Sequence, residues 1–289
     1  MVKDKIMKLD TQPIEGCKVL HKIPKYLSEA SIRNNDVIIE MGTLSNYKKF
    51  MVNHKDFRDS SELSSMRKGD DNFSGVANYD DFLELLNTGD TDVMKKIKVE
   101  TTKQVSELAK KYEEVIHGYK FDVHGEMFDV GLVLTGVPEA WLEPDNVEEE
   151  KVRVEIIING TFSARVSKND VINGASRILA IIKILEDNDV EVKLKIVSCL
   201  KNIMKRGRDN KNLFVATDIK DYDEPINYKK ASALLSPTYL RRGMLKVMEL
   251  VAKQDLDSSY GRPMIVKGFI DIHNNKEIDN LEKRLFKGE

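Results

Sequence analysis

A strand, an amphipathic helix and a second strand follow one another between Val152 and Leu200, and this order constrains the fold more than any other feature. Val152, Val154, Ile156, Ile157 and Ile158 alternate and then run continuously apolar, as a strand covered on both faces requires. After a short polar loop, Ser167 is placed to cap a helix. Its Val171, Ile172, Ala175, Ile178, Leu179, Ile182 and Leu185 form one apolar stripe that ends near Asn188. Val190 to Leu200 then makes the second strand. A βαβ unit of this kind pairs its strands in parallel through a right-handed crossover.

The remaining elements extend that nucleus. Leu213 to Thr217 is expected as an antiparallel neighbour. A helical stretch from Tyr228 breaks at Ser236-Pro237 and restarts there, with Ser236 as cap and Pro237 at the first position. Pro263 to Ile272 reads as another strand, and Ile278, Leu281 and Leu285 mark a terminal helix. The predicted class is α/β, a mixed and mainly parallel sheet with helices on both faces.

Upstream the pattern is weaker. Asp36 to Met41 suits a strand, and Asn78 suits a helix cap with Asp81 at the third helical position. A long helix is expected from Thr91 to His117, with a possible interruption at Val99 to Thr102. Asp56 to Gly75 reads as an exposed loop or partner-binding segment, and Trp141 as an apolar anchor near the Gly136-Val137-Pro138-Glu139 turn. Acidic residues from Asp145 to Glu150 suggest a boundary between an N-terminal α+β extension (1–150) and the α/β core (151–289), unless the two form one continuous domain.

Composition narrows the classes. With 289 residues, 41% hydrophobic and 33% charged, the chain has a globular balance. Its 46 Lys and Arg against 48 Asp and Glu give a net charge of -2, so only local patches decide affinity for nucleic acid. Cys17 and Cys199 fit no disulfide or metal framework, and Cys199 falls in an apolar strand as a buried thiol. No apolar run approaches the ~18 residues that span a bilayer. No phosphate-binding glycine loop, nucleophile elbow or zinc-protease helix occurs, which favours a non-enzymatic protein.

Two places would carry chemistry. The first is the loop Asn159-Gly160-Thr161-Phe162-Ser163 at the carboxyl end of the first core strand, where open α/β sheets bind ligands. Asn159, Thr161 and Ser163 offer a carbonyl and two hydroxyls to a hard cation such as Mg²⁺, or they form a plain turn. The second is the polar tip after the second core strand, where Lys201, Lys205, Arg206, Arg208 and Lys211 are opposed only by Asp209. Such a tip suits phosphate contact with DNA or RNA, or a solvated edge that resists strand pairing. Arg241 and Arg242 would join it if the fold brings them near. The acidic group Asp218, Asp221, Asp223 and Glu224 lacks the pattern of a calcium loop, and His124 beside Asp122 and Glu126 fits a solvated strand better than a chelate.

The segment 152–200 with its Asn-x-Thr-x-Ser loop resembles the opening of a von Willebrand A-type domain. There the loop is Asp-x-Ser-x-Ser and holds a divalent metal with which the domain grips partners. Here the hydroxyls remain and the carboxylate does not. The resemblance therefore implies the architecture without the metal-dependent adhesion. It also implies a Thr and an Asp on neighbouring loops, for which Thr217 and Asp218 are the candidates.

A second resemblance runs through FSGVANYDDFLELLNTG, then YKFDVHGEMFDVGLVLTGVPEAWLEPD, then the βαβ unit, over about residues 70–270. This succession is similar to a family of bacteriophage-encoded proteins of uncharacterised function. It implies a phage origin and work inside the host bacterial cytoplasm. The resulting expectation is a non-enzymatic interaction or scaffolding module for phage or host proteins, without cofactor. The alternative is a nucleic-acid-binding accessory protein of phage replication or transcription.

Overall fold

A computed structural model describes residues 18–19, 24–25, 27, 36–54, 65, 68–69, 74–112, 152–203, 211–252 and 262–287. The predicted features at Trp141, the Gly136–Glu139 turn, His124, His117, Cys17, Lys205, Arg206 and Arg208 lie outside these residues.

The strands are β1 (Lys18–Val19), β2 (Val37–Gly42), β3 (Arg153–Asn159), β4 (Glu191–Lys201), β5 (Leu213–Lys220), β6 (Arg262–Pro263) and β7 (Ile270–Asp271). They form one mixed sheet in the order β1-β2-β5-β4-β3-β7, with β6 on β4. Of the three ladders between strands longer than two residues, β2–β5 and β3–β4 are parallel and β4–β5 is antiparallel. The parallel β3–β4 pair and its antiparallel neighbour are as the sequence pattern requires. β2 is the unexpected member. It lies between β1 and β5, so strand residues from before the division drawn near 150 share one sheet with those after it.

Seven α-helices accompany the sheet among the described residues: α1 (Leu44–Asn53), α2 (Tyr79–Thr88), α3 (Thr91–Lys111), α4 (Lys168–Glu186), α5 (Tyr228–Leu234), α6 (Leu245–Ala252) and α7 (Asn275–Lys287). Their ends follow local chemistry. The Asn78 side chain accepts from Asp81 N at 2.9 Å and caps α2. Asp90 does the same for α3 through Val93 N, and Ser167 with Asp170 forms a capping box on α4. Val99 to Thr102 does not interrupt α3. Thr101 is buried against α4, its hydroxyl directed at the Ser176 carbonyl, so tertiary packing outweighs the modest helix propensity of threonine. α1 was not expected. Its signals are the Thr43 cap and the spacing of Tyr47, Phe50 and Met51, too few residues to form a clear stripe.

Every described helix sends its buried apolar side chains to the same face of the sheet. There they join Val37, Ile39, Ile156, Ile158, Val192, Leu194, Ile196, Leu213 and Val215. The expectation of helices on both faces is therefore not met among the described residues. The other face carries a small cluster of Ile38, Val197, Cys199, Phe214 and Ala216, covered by Leu27, Val266 and Phe269. This explains the continuous apolar runs in the strands: both faces are dry, but irregular chain covers one of them. The expected strand 263–272 is that cover. It pairs only at its ends because Lys267-Gly268 turns, with Gly268 at φ +92°.

After Ser236-Pro237 the chain restarts as a helix, but Ser236 donates back to the Ala233 carbonyl and does not cap it. Tyr239–Met244 is a π-helical turn leading into α6. A Cβ at Gly243 would lie 1.7 Å from the Tyr47 hydroxyl, so the absence of a side chain lets α1 press against this turn. Arg242, Lys246 and Glu249 are all fully buried here. The Arg242 guanidinium donates to the carbonyls of Ser65, Val76 and Ala77, and Glu249 accepts from the Ser65 amide and hydroxyl.

Candidate functional site

Because β3 and β4 are parallel with Asn159 opposite Val197, the loop after β3 and the connection after β4 leave the sheet at the same end. Asn159 and Thr161 are only 1% and 2% exposed, and their polar atoms are committed inside the protein. Asn159 Oδ1 accepts from Thr161 N at 3.1 Å, and its Nδ2 donates to Met264 O at 2.9 Å and to Asp271 Oδ1 at 2.7 Å. Thr161 Oγ1 accepts from Cys199 N at 2.7 Å, and Ser163 Oγ from Arg165 N at 3.3 Å. The three side-chain oxygens proposed as metal ligands thus serve three different backbone amides. The arrangement knits the loop to β4, to β7 and to Met264 just after β6.

One further residue clamps the loop. Arg241 donates to the carbonyls of Ala164 and Val166, and its guanidinium lies 5.5 Å from the centre of the Phe162 ring. Burial lowers its pKa. Arg241 and Arg242 are therefore internal struts and do not join a surface basic patch. Ser163, Ala164 and Arg165 remain exposed at the top of the loop.

The acid beside Asn159 is Asp271, its register partner on β7. Burial, then the neighbouring Glu277, raises the Asp271 pKa, and the Asn159 amide partly offsets this. Sequence alone gave no sign of this contact, because the two residues are 112 positions apart. Thr217 and Asp218 do not complete the loop. β5 runs antiparallel to β4, so its last residues point away from that end. Thr217 Oγ1 lies 3.2 Å from the Tyr239 hydroxyl, and Asp218 pairs with Lys195 at 2.7 Å.

The 2.7 Å amide–carboxylate contact makes Asn159→Asp informative. The variant sets a second carboxylate against one whose pKa is already raised. Raised carboxyl pKa values mean proton uptake on folding, so stability is lost as pH rises above the ordinary aspartate value of 3.8. Asn159→Asp should therefore melt well below the parent at neutral pH and approach it in acid. An equal deficit in acid and at neutral pH would contradict the direct contact. Recovery on adding Mg²⁺ would show that the loop oxygens still converge once the charge is restored.

The basic tip is described at its roots. Lys201 is exposed and Lys211 half-buried, with Ile203 N donating to Lys211 O at 3.0 Å. Elsewhere, a groove of about 490 Å³ between α3, α4 and α7 is lined by paired charges, with Arg177 and Lys111 both on buried Glu282. Among the described residues no three His, Cys, Asp or Glu side chains are placed to hold a metal, and no helix is long and apolar enough to cross a membrane.

A family model described as a domain of unknown function, DUF7192, matches residues 23–283. The chain belongs to the DUF7192 family. The matched range spans the division drawn near residue 150, in keeping with β2 lying inside the sheet. No curated protein and no solved structure matches this DUF7192 chain.

Proposed function

We propose that this chain is a non-enzymatic interaction module, encoded by a bacteriophage and acting in the host bacterial cytoplasm. On this reading its core is a degenerate von Willebrand A-like domain, and it binds with the carboxyl end of the β3–β4 pair. The observation that carries the proposal is the fixing of the Asn159–Ser163 loop. Its side-chain oxygens and the Arg241 clamp hold Ser163, Ala164 and Arg165 outward on a rigid rim. A rim fixed in advance saves the ordering cost of a flexible one, about 0.5–1.5 kcal/mol for each side chain immobilised on binding. The sheet order supports the location. β3 lies between parallel neighbours β4 and β7, and loops at such carboxyl ends are the usual ligand sites of open α/β sheets. Phage or host proteins and nucleic acid are both partners of a kind that this edge would take.

A photo-crosslinking side chain placed at Arg165 should give partner adducts in infected cells. The same group at Lys98, exposed on α3, should give few. Adducts at both positions alike, or at Lys98 alone, would put the binding surface elsewhere.

A further inference from the structure

We infer that the partner of this edge is a nucleic acid, gripped through its phosphate backbone by Lys201, Lys211 and Arg262. This rests on the reading of the β3–β4 carboxyl end as the binding face. The argument comes from how charge is balanced at the two ends of β4. At the amino end the cations are matched: Arg153 with Glu191, Lys193 with Asp221, Lys195 with Glu40 and Asp218, and Lys220 with Glu186. At the carboxyl end Lys201, Lys211 and Arg262 have no acidic partner among the described residues.

Among the described residues, acids toward that end are already engaged. Asp36 accepts from the backbone and amide of Asn212, Asp271 from Asn159, and Glu277 from the Asp271 amide. Moreover, Lys201 and Arg262 are directly opposed across the β4–β6 ladder. Like charges in that position repel and destabilise the pairing. A phosphate between them would turn the repulsion into attraction, which gives an otherwise costly arrangement a purpose.

A polyanion fits better than a protein surface. Lysine is depleted in protein interfaces, whereas uncompensated lysine and arginine are what phosphate contact and counterion release require. Among the described residues the aromatic side chains near this end, Phe214 and Phe269, are buried and offer bases no exposed ring to stack on. Contact with the backbone, independent of sequence, is the expected mode.

The test is fluorescence anisotropy of the full chain with labelled random-sequence duplex and single-stranded oligonucleotides, and with polyglutamate as an acidic-protein probe. Nucleic acid should bind at low salt and weaken steeply as salt rises. The triple variant K201E/K211E/R262E should lose roughly a hundredfold in affinity and flatten the salt slope by about three. K95E/K96E/K98E makes the same change in net charge on exposed lysines of α3 and should lose only a few-fold. If the reversed variant folds poorly, K201Q/K211Q/R262Q takes its place and should still lose most of the affinity. No binding at low salt, equal losses in the two triple variants, or polyglutamate competing as well as nucleic acid would each overturn the inference. Protein adducts at Arg165 without nucleic-acid affinity would overturn it while leaving the binding edge in place. Absence of both would remove the edge as well.

Discussion

Gly174→Ala is expected to destabilise the protein by ~3 kcal/mol, at the upper end of overpacking costs. The sign is unusual, since the same change in an ordinary helix interior stabilises by about 1 kcal/mol. A Cβ at Gly174 would lie 1.6 Å from the Ile272 carbonyl oxygen and 2.9 Å from its carbon. The obstruction is backbone, so no rotamer change relieves it. Either α4 or the chain leaving β7 must retreat. Ile272 N also approaches Asn159 O, at 3.5 Å, so the retreat would loosen the rim of the candidate site. Denaturant unfolding measures the loss, and affinity at the β3–β4 edge should fall with it. Parent-like stability would mean that α4 and β7 do not approach as closely as described.

Arg242→Met should cost a similar amount, on the order of 3–5 kcal/mol for removing one member of a buried charged cluster. Methionine fills the volume but leaves the carbonyls of Ser65, Val76 and Ala77 without that donor. Arg242→Lys should recover little. A single ammonium cannot span donors aimed at both Ser65 and the 76–77 turn as the planar guanidinium does. Hydrogen exchange adds a local readout, because amides around residues 74–79 should lose protection before those of β3 and β4. Uniform loss across the sheet, or full rescue by lysine, would show that Arg242 contributes charge alone.

What the sequence disclosed depended on how local the cause was. β3, α4 and β4 were legible because Ile156–Ile158, the Ser167–Asp170 box and the stripe from Val171 to Leu185 act within a few turns of chain. Part of α1 was available in Thr43 and Tyr47, but ten residues carry little periodic signal. The place of β2 was not legible, since Asp36 to Met41 would look the same in an edge hairpin. Nor was the role of Asn159. Its resemblance to a metal ligand is a matter of spacing, whereas its use is set by Asp271, Met264 and the Cys199–Thr161 bond. Arg241 and Arg242 show the same limit. Two adjacent arginines after a Pro suggest a surface, and only the packed π-helical turn turns them inward.

The position of β2 between β1 and β5 also governs the order in which the protein is able to assemble on the ribosome. Val37 pairs with Leu213, so β2 is made early and gains its long parallel neighbour β5 only after more than half of the chain has emerged. Until then Ile38 and Ile39, both fully buried in the finished sheet, are open to water and to other nascent chains. Meanwhile α1 lacks β5, and α2 and α3 lack α5, against which they pack. A ribosome-stalled chain ending near residue 200 should therefore be readily cleaved by protease within β2, whereas one released past β5 should resist.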